Sequence, residues 1–286
     1  MGKDAQFTVR FCFVLTFFVF ARIAFTQTFP YETENFIIVN APDALTAKQF
    51  GDAAEKYRRD LSLLWLGRIL PDWAEKCPVK VIVGENLGAG GATVFVFDKG
   101  EVYDWNMEIQ GTKERILDSV LPHEITHTIF ATYFRRPVPR WLDEGAAASV
   151  ENIAEKKNYQ QLLMTFLRNR TQCPQCPQCL PFNKLVSIKE YPDDPMPLYA
   201  QGLSVVEYLL MLGQQSGDSP QQRLVRFMET AMNTGDLPSA LQEHYNVDSL
   251  STLQTDWVAW VSRTRNQSIP AVTLVSSGYG KSVYER

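Results

Sequence analysis

The segment LPHEITHTIF, residues 121–130, constrains this chain more than any other, because it sets two of its three histidines four residues apart with a glutamate beside the first. Residues four apart on a helix differ by about 40° of rotation, so His123 and His127 point the same way. Two imidazoles on one face can each give a nitrogen to a single Zn2+. Glu124, at the edge of that face, can reach a water activated by the metal without being a ligand itself. Such a centre calls for a third protein ligand and one open coordination position. The chain must therefore fold a second segment back onto the helix and leave a cleft in front of it.

Few residues can supply that third ligand. His244, the remaining histidine, lies in a stretch that reads as packing scaffold. A metzincin spacing would need glycine at 130 and histidine at 133, where the chain has Phe130 and Tyr133. The link RRPVPR (135–140) can turn the chain back, and the next helical segment opens with WLDEGAAA. Glu144 in its first turn can be brought under the two histidines, with Asp143 as the competing ligand. Pro122 adds a local constraint, since its ring would meet the Asp118 carbonyl in a continuous helix. The helix either kinks there or starts afresh with Pro122 in its first turn.

HEITH followed by RWLDEGAA resembles the gluzincin superfamily of zinc metallopeptidases, the peptidase MA-like group. There the third ligand is a glutamate in a W-L-x-E-G-x-A context, which Trp141, Leu142, Glu144, Gly145 and Ala147 match. A bare H-E-x-x-H means little alone, but the second segment after a turn-forming link makes chance a poor explanation. Packed core histidines explain the segment poorly too, because the face is too polar to bury unassisted. The likeness continues through YAQGLSVVEYLL (199–210) and the segment 237–261, so it covers roughly residues 79–261, with only the metal segments specific.

The resemblance implies a two-part, zincin-like α+β fold. A small mixed sheet in the N-terminal part packs on a mainly helical C-terminal part, with the active-site cleft between them. It also implies one Zn2+ per chain on His123, His127 and Glu144, Glu124 as general base, and hydrolysis of a peptide or protein substrate. Tyr199, heading the helix after the ligand segment, is the first choice to stabilise the oxyanion. The strand YDWNMEIQG (103–111) would be the edge along which an extended peptide adds. One departure stands out: thermolysin-like enzymes carry an aspartate four residues after the glutamate ligand, and Ala148 stands here. Support for the zinc-bound histidines must then come from elsewhere, with Glu151 a guess. The rival reading is a catalytically inactive binding or scaffold protein of the cell envelope that keeps the fold; the intact Glu124 weighs against it.

The rest of the chain frames this centre. Residues 1–26 order a charged start, the apolar run FCFVLTFFVFA and small residues at Ala24 and Thr26, as a secretory signal does. Arg22 directly after the run also fits an uncleaved anchor, the one route to a membrane. Loss of this segment removes Lys3, Arg10 and Arg22 against Asp4 and takes the net charge from −4 to −6. No basic run exists to hold phosphates, which excludes nucleic acid as a partner. The expected location is secreted, periplasmic or otherwise extracytoplasmic.

Residues 27–111 read as the sheet-containing part, 112–265 as the helical part with the zinc site, and 266–286 as a polar tail. Within the first part, a helix is expected over 46–67, a strand over 79–85, and a glycine loop with two strands joined by DKGE over 87–111. Within the second, 112–134 and 141–169 each read as one helical stretch. Oxidising export lets Cys77, Cys173, Cys176 and Cys179 form disulfides. The prolines in QCPQCPQC hold its cysteines apart, so Cys77 bonded to one of the three is the natural expectation, ahead of a four-cysteine zinc or free thiols.

Overall fold

The computed structural model describes residues 30–172, 179–214 and 219–264. Residues 1–26, expected to form a secretory signal, the tail from 266, and Cys173 and Cys176 lie outside the described residues. The architecture is mixed α+β, with a five-stranded sheet in the N-terminal part and helices in the rest.

The strands are β1 (Tyr31–Glu32), β2 (Phe36–Val39), β3 (Cys77–Val83), β4 (Gly90–Asp98) and β5 (Glu101–Gly111), in the order β1-β2-β3-β5-β4. The helix α1 (Ala44–Leu66) carries the chain from β2 across to β3, which run parallel. Asp43 starts it by accepting from the Thr46 N–H at 2.7 Å, and Gly67 at φ 68° ends it in the left-handed region. Phe50, Ala54, Leu61 and Trp65 on its inner face are buried against the sheet and the next helix layer.

The strand over 103–111 is not the edge. β5 lies inside the sheet, parallel to β3, and β4 is the outer strand. Burial explains the order: Trp105, Met107 and Ile109 of β5 all face the core, whereas β4 is mostly half-exposed, as suits an edge. The two strands are joined at DKGE, where Lys99 at φ 48° and Gly100 at φ 79° make the mirror-image turn that matches strand twist. A bulge follows: the register shifts between Val94 and Val96, and Asp104 opposite sits at φ 56°.

Thr112 caps the helical half by accepting from the Arg115 N–H at 3.3 Å. The chain runs through α2 (Lys113–Arg115) and a π-helical turn at Ile116–Val120 into α3 (Leu121–Phe134). Pro122 therefore neither kinks a regular helix nor starts an isolated one. The Leu121 N–H reaches back to the Ile116 carbonyl, and the extra residue opens the turn where the proline ring would meet the Asp118 carbonyl. α3 ends at Arg135, φ 54°, before the proline link.

The stretch 141–169 is two helices, α4 (Arg140–Ser149) and α5 (Ile153–Gln172). Asn152 makes the break by accepting from the Ala154 N–H at 2.9 Å and donating to Asp118 at 2.8 Å. Then follow α6 (Phe182–Leu185), α7 (Met196–Gly213), α8 (Pro220–Thr234), α9 (Leu237–Tyr245) and α10 (Leu250–Thr264). α4 packs on α7 backbone to backbone: a Cβ on Gly145 would overlap the Gly202 carbonyl, and one on Gly202 would come within 2.9 Å of the Trp141 oxygen. Among the described residues no helix is long and apolar enough to cross a membrane.

Among the described residues Cys77 forms no disulfide, and of its three expected partners only Cys179 is described. Cys77 begins β3 beside Phe36, fully buried as a free thiol, and burial pushes its pKa up to about 12. Cys179 is buried on the helical side, next to Leu180, whose N–H and carbonyl pair with Gln201 of α7.

Candidate metal centre

Three residues named from the sequence come together. His123 and His127 lie one turn apart on α3 with ring centroids 4.9 Å apart, and Glu144 rises from α4 beneath them. One ligand atom from each falls within 4.8 Å of the others. Glu144 Oε2 stands 3.4 Å from His123 Nε2 and 3.7 Å from His127 Nε2.

The other ring nitrogens are occupied. His123 Nδ1 pairs with Glu151 Oε1 at 2.7 Å, and His127 Nδ1 with Asp143 Oδ1 at 2.9 Å. A carboxylate only accepts, so each Nδ1 carries a proton, and the Nε2 atoms facing Glu144 are the ones that would lose theirs to a metal. Asp143 is thus outside the three-residue cluster and holds a histidine instead. Glu151 fills the place that Ala148 leaves unfilled, because the break between α4 and α5 turns its side chain back onto α3.

Glu144 is fully buried. Its Oε1 accepts from the Tyr191 hydroxyl, over which the Arg140 guanidinium stacks 4.5 Å from the ring centre. Its Oε2 is also buried and has no hydrogen-bond partner. An orphaned carboxylate oxygen facing two imidazole Nε2 atoms is a donor set suited to a transition-metal ion. Glu124, Asp143, Glu144 and Glu151 around two imidazoles also leave negative charge that a divalent cation would balance.

The surrounding carboxylates favour the imidazolium of both histidines, so a metal ion would displace the Nε2 proton of each ring. Burial opposes the imidazolium of His127, yet the charges of Asp143 and Glu144 outweigh it and raise the pKa to about 9. His123 is raised too, by Glu144 and Glu151 against burial. Burial would lift Glu144, but the two histidines hold it below the usual carboxylate range. Burial raises Glu124, with His123, His127 and Thr93 pulling the other way.

Glu124 sits beside the cluster, where the sheet edge holds it. The Thr93 hydroxyl of β4 donates to its Oε2 at 2.6 Å. A Cβ on Gly91 would lie 2.6 Å from its Oε1, so that position admits only glycine while the carboxylate stays put. The glycines read as a loop thus include Gly90 and Gly91 as the first residues of β4. Tyr199 of α7 lies with its ring centroid 6.2 Å from that of His123, stacked on Tyr159. Burial, then the charges of Glu144 and Glu124, push its phenol pKa far up, so it keeps its proton.

Sequence reasoning missed Tyr191 and Thr93. Neither lies in a recognisable pattern, and their partners are 47 and 31 residues away. His244 stays out of the centre and bonds Thr230 at 2.8 Å. No protein-family model and no curated protein matches the chain.

Proposed function

We propose that this chain is an exported zinc-dependent metallopeptidase of gluzincin type. The observation that carries the reading is the buried, unpartnered Glu144 Oε2 facing two Nε2 atoms whose Nδ1 atoms are fixed by carboxylates. His123, His127 and Glu144 would hold the ion. When bound, zinc supplies Lewis-acid polarisation of a carbonyl and a lowered water pKa.

The protein's own groups account for the remaining steps. Glu124 takes a proton from the attacking water on Oε1, since Oε2 is held by Thr93. The raised pKa of Glu124 suits that acceptance and the later return of the proton to the departing amine. Tyr199 donates its hydroxyl to the developing oxyanion. β4, with no strand on its outer side among the described residues, offers backbone groups to an extended peptide. The order of residues 1–26 supports export. An inactive binding or scaffold protein would have little use for Glu124, or for a threonine and a glycine that hold it.

The test pairs metal content with turnover on the purified protein. About one zinc per chain is expected, lost or much weakened in Glu144→Ala. Glu124→Gln should keep the metal and the fold but abolish peptide cleavage. Surviving turnover would remove the base assignment, and a parent that takes up no zinc after reconstitution would leave the binding-protein reading in front.

A further inference from the structure

On the peptidase reading Tyr199 must hold its hydroxyl towards a developing oxyanion, yet it sits in the first turn of α7. Helix ends are the places most given to fraying. Pro195, just before the helix, has no side chain able to cap it, and the exposed residues Pro192, Asp193 and Asp194 lead into it. The Tyr199 ring is itself only half-buried. Two other rings lie against it. The His123 ring is 6.2 Å away between centroids and tilted by 44°, and the Tyr159 ring of α5 is 6.3 Å away and within 18° of parallel. The second arrangement is an offset stack, at a separation where aromatic rings attract.

Tyr159 can act as a support because α5 is tied to the metal helix. Glu155, one turn before Tyr159, accepts from Arg115 Nε at 2.7 Å, and Arg115 ends α2, which leads through the π-helical turn into α3. Glu151, just ahead of α5, holds His123 Nδ1 at 2.7 Å. Glu151, Glu155 and Tyr159 are thus spaced four residues apart and meet His123, Arg115 and Tyr199 in turn. On α5 that spacing puts Glu155 and Tyr159 on one face. The same segment therefore fixes a histidine of the metal centre and the tyrosine beside it.

We propose that Tyr159 is a positioning residue, an inference that rests on the peptidase reading: its ring holds the Tyr199 side chain in the rotamer that presents the hydroxyl to the oxyanion. The ring makes the contact, so phenylalanine can replace Tyr159 and an aliphatic side chain cannot. The effect passes through Tyr199 alone, so it should vanish where Tyr199 has no hydroxyl to place.

The test uses the zinc-loaded full chain, first with 3-fluorotyrosine in place of Tyr199. Tyr159→Leu should shift and broaden the fluorine resonance, and Tyr159→Phe should leave it close to the parent's. Tyr159→Met, which fills more of the space, takes the place of the leucine variant if that one fails to fold. A resonance that Tyr159→Leu leaves unmoved overturns the proposal whether or not the protein cleaves peptides. In turnover, Tyr159→Leu should lower kcat by on the order of 2- to 10-fold, the worth of one aromatic pair, with KM and zinc content unchanged. Tyr159→Phe should restore the rate. Tyr199→Phe should be slower by about 100- to 1,000-fold, and adding Tyr159→Leu to it should cost nothing more. An equal further loss in that background overturns the proposal, as does a leucine variant that sheds its zinc, because Tyr159 would then act on the packing at large. A resonance that moves as expected in a parent that cleaves no peptide overturns the peptidase reading, and the oxyanion role with it, while the support of the Tyr199 ring stands.

Discussion

Replacing Glu151 with alanine takes away the acceptor of the His123 Nδ1 proton, a 2.7 Å contact between side chains only 11% and 7% exposed. So little solvent reaches the pair that screening does not weaken it, and no neighbouring water can substitute freely. Two losses follow. The ring is free to rotate, and it can move its proton to Nε2, where the ion needs a lone pair. Losing an orienting carboxylate of this kind weakens metal affinity by about 10- to 100-fold, or about 1.4–2.7 kcal/mol. Glu151→Gln keeps an amide oxygen to accept the proton and loses only the charge, so it should sit at the low end. Asp143→Asn makes the matching change at His127, whose contact is 2.9 Å. The two histidines are 4.9 Å apart and face the same Glu144 oxygen, so the double change should depart from the product of the two single losses. Zinc titration against a chromophoric chelator at fixed pH measures each dissociation constant, with circular dichroism as the control for folding. A folded Glu151→Ala protein that binds zinc as tightly as the parent would refute the reasoning, and so would a glutamine variant weaker than the alanine one.

Gly145→Ala should lower stability by about 1–3 kcal/mol although alanine is the better helix former, because its methyl would overlap the Gly202 carbonyl. Differential scanning fluorimetry should show a Tm below the parent's by a few degrees, and an equal or higher Tm would contradict the close helix contact. Tyr191→Phe strips the hydroxyl from a buried Glu144 oxygen and should cost about 1–3 kcal/mol in chelator. With zinc the cost should shrink, since the ion shares the carboxylate's charge; equal losses with and without zinc would count against Tyr191 as its support. The Cys77 thiol, buried and shifted to about 12, should resist iodoacetamide in the folded protein and react in denaturant. Peptide mapping that finds Cys77 labelled under native conditions would contradict its burial.

How far the sequence could be read depended on how local each signal was. The histidine pair is one helical turn, α1 follows its apolar spacing, and the left-handed turn at Lys99–Gly100 sits on the DKGE signal. Glu144 was legible because the WLDEG segment travels with it. The order of β4 and β5 was not, since both read as plausible strands and only burial beside β3 decides which lies inside. The division of 141–169 into two helices hangs on Asn152, an internal residue whose capping bond and tie to Asp118 no periodicity announces. The same break turned Glu151 from a guess into the partner of His123. Asp143 was seen as a rival ligand on the right element, but its reach to Nδ1 rather than to the ion is a matter of rotamer and helix position.

The contact between Gly145 and Gly202 reaches beyond packing. α4 carries Glu144 and α7 carries Tyr199, and the two helices touch main chain to main chain at Gly145 and Gly202. Glu144 and Tyr199 therefore sit on two helices in main-chain contact, while both histidines and Glu124 sit together on α3. Anyone transplanting this centre into a new scaffold would have to move α4 and α7 as a pair, because a copy of the HEITH and WLDEG segments alone would leave behind the part that sets their spacing.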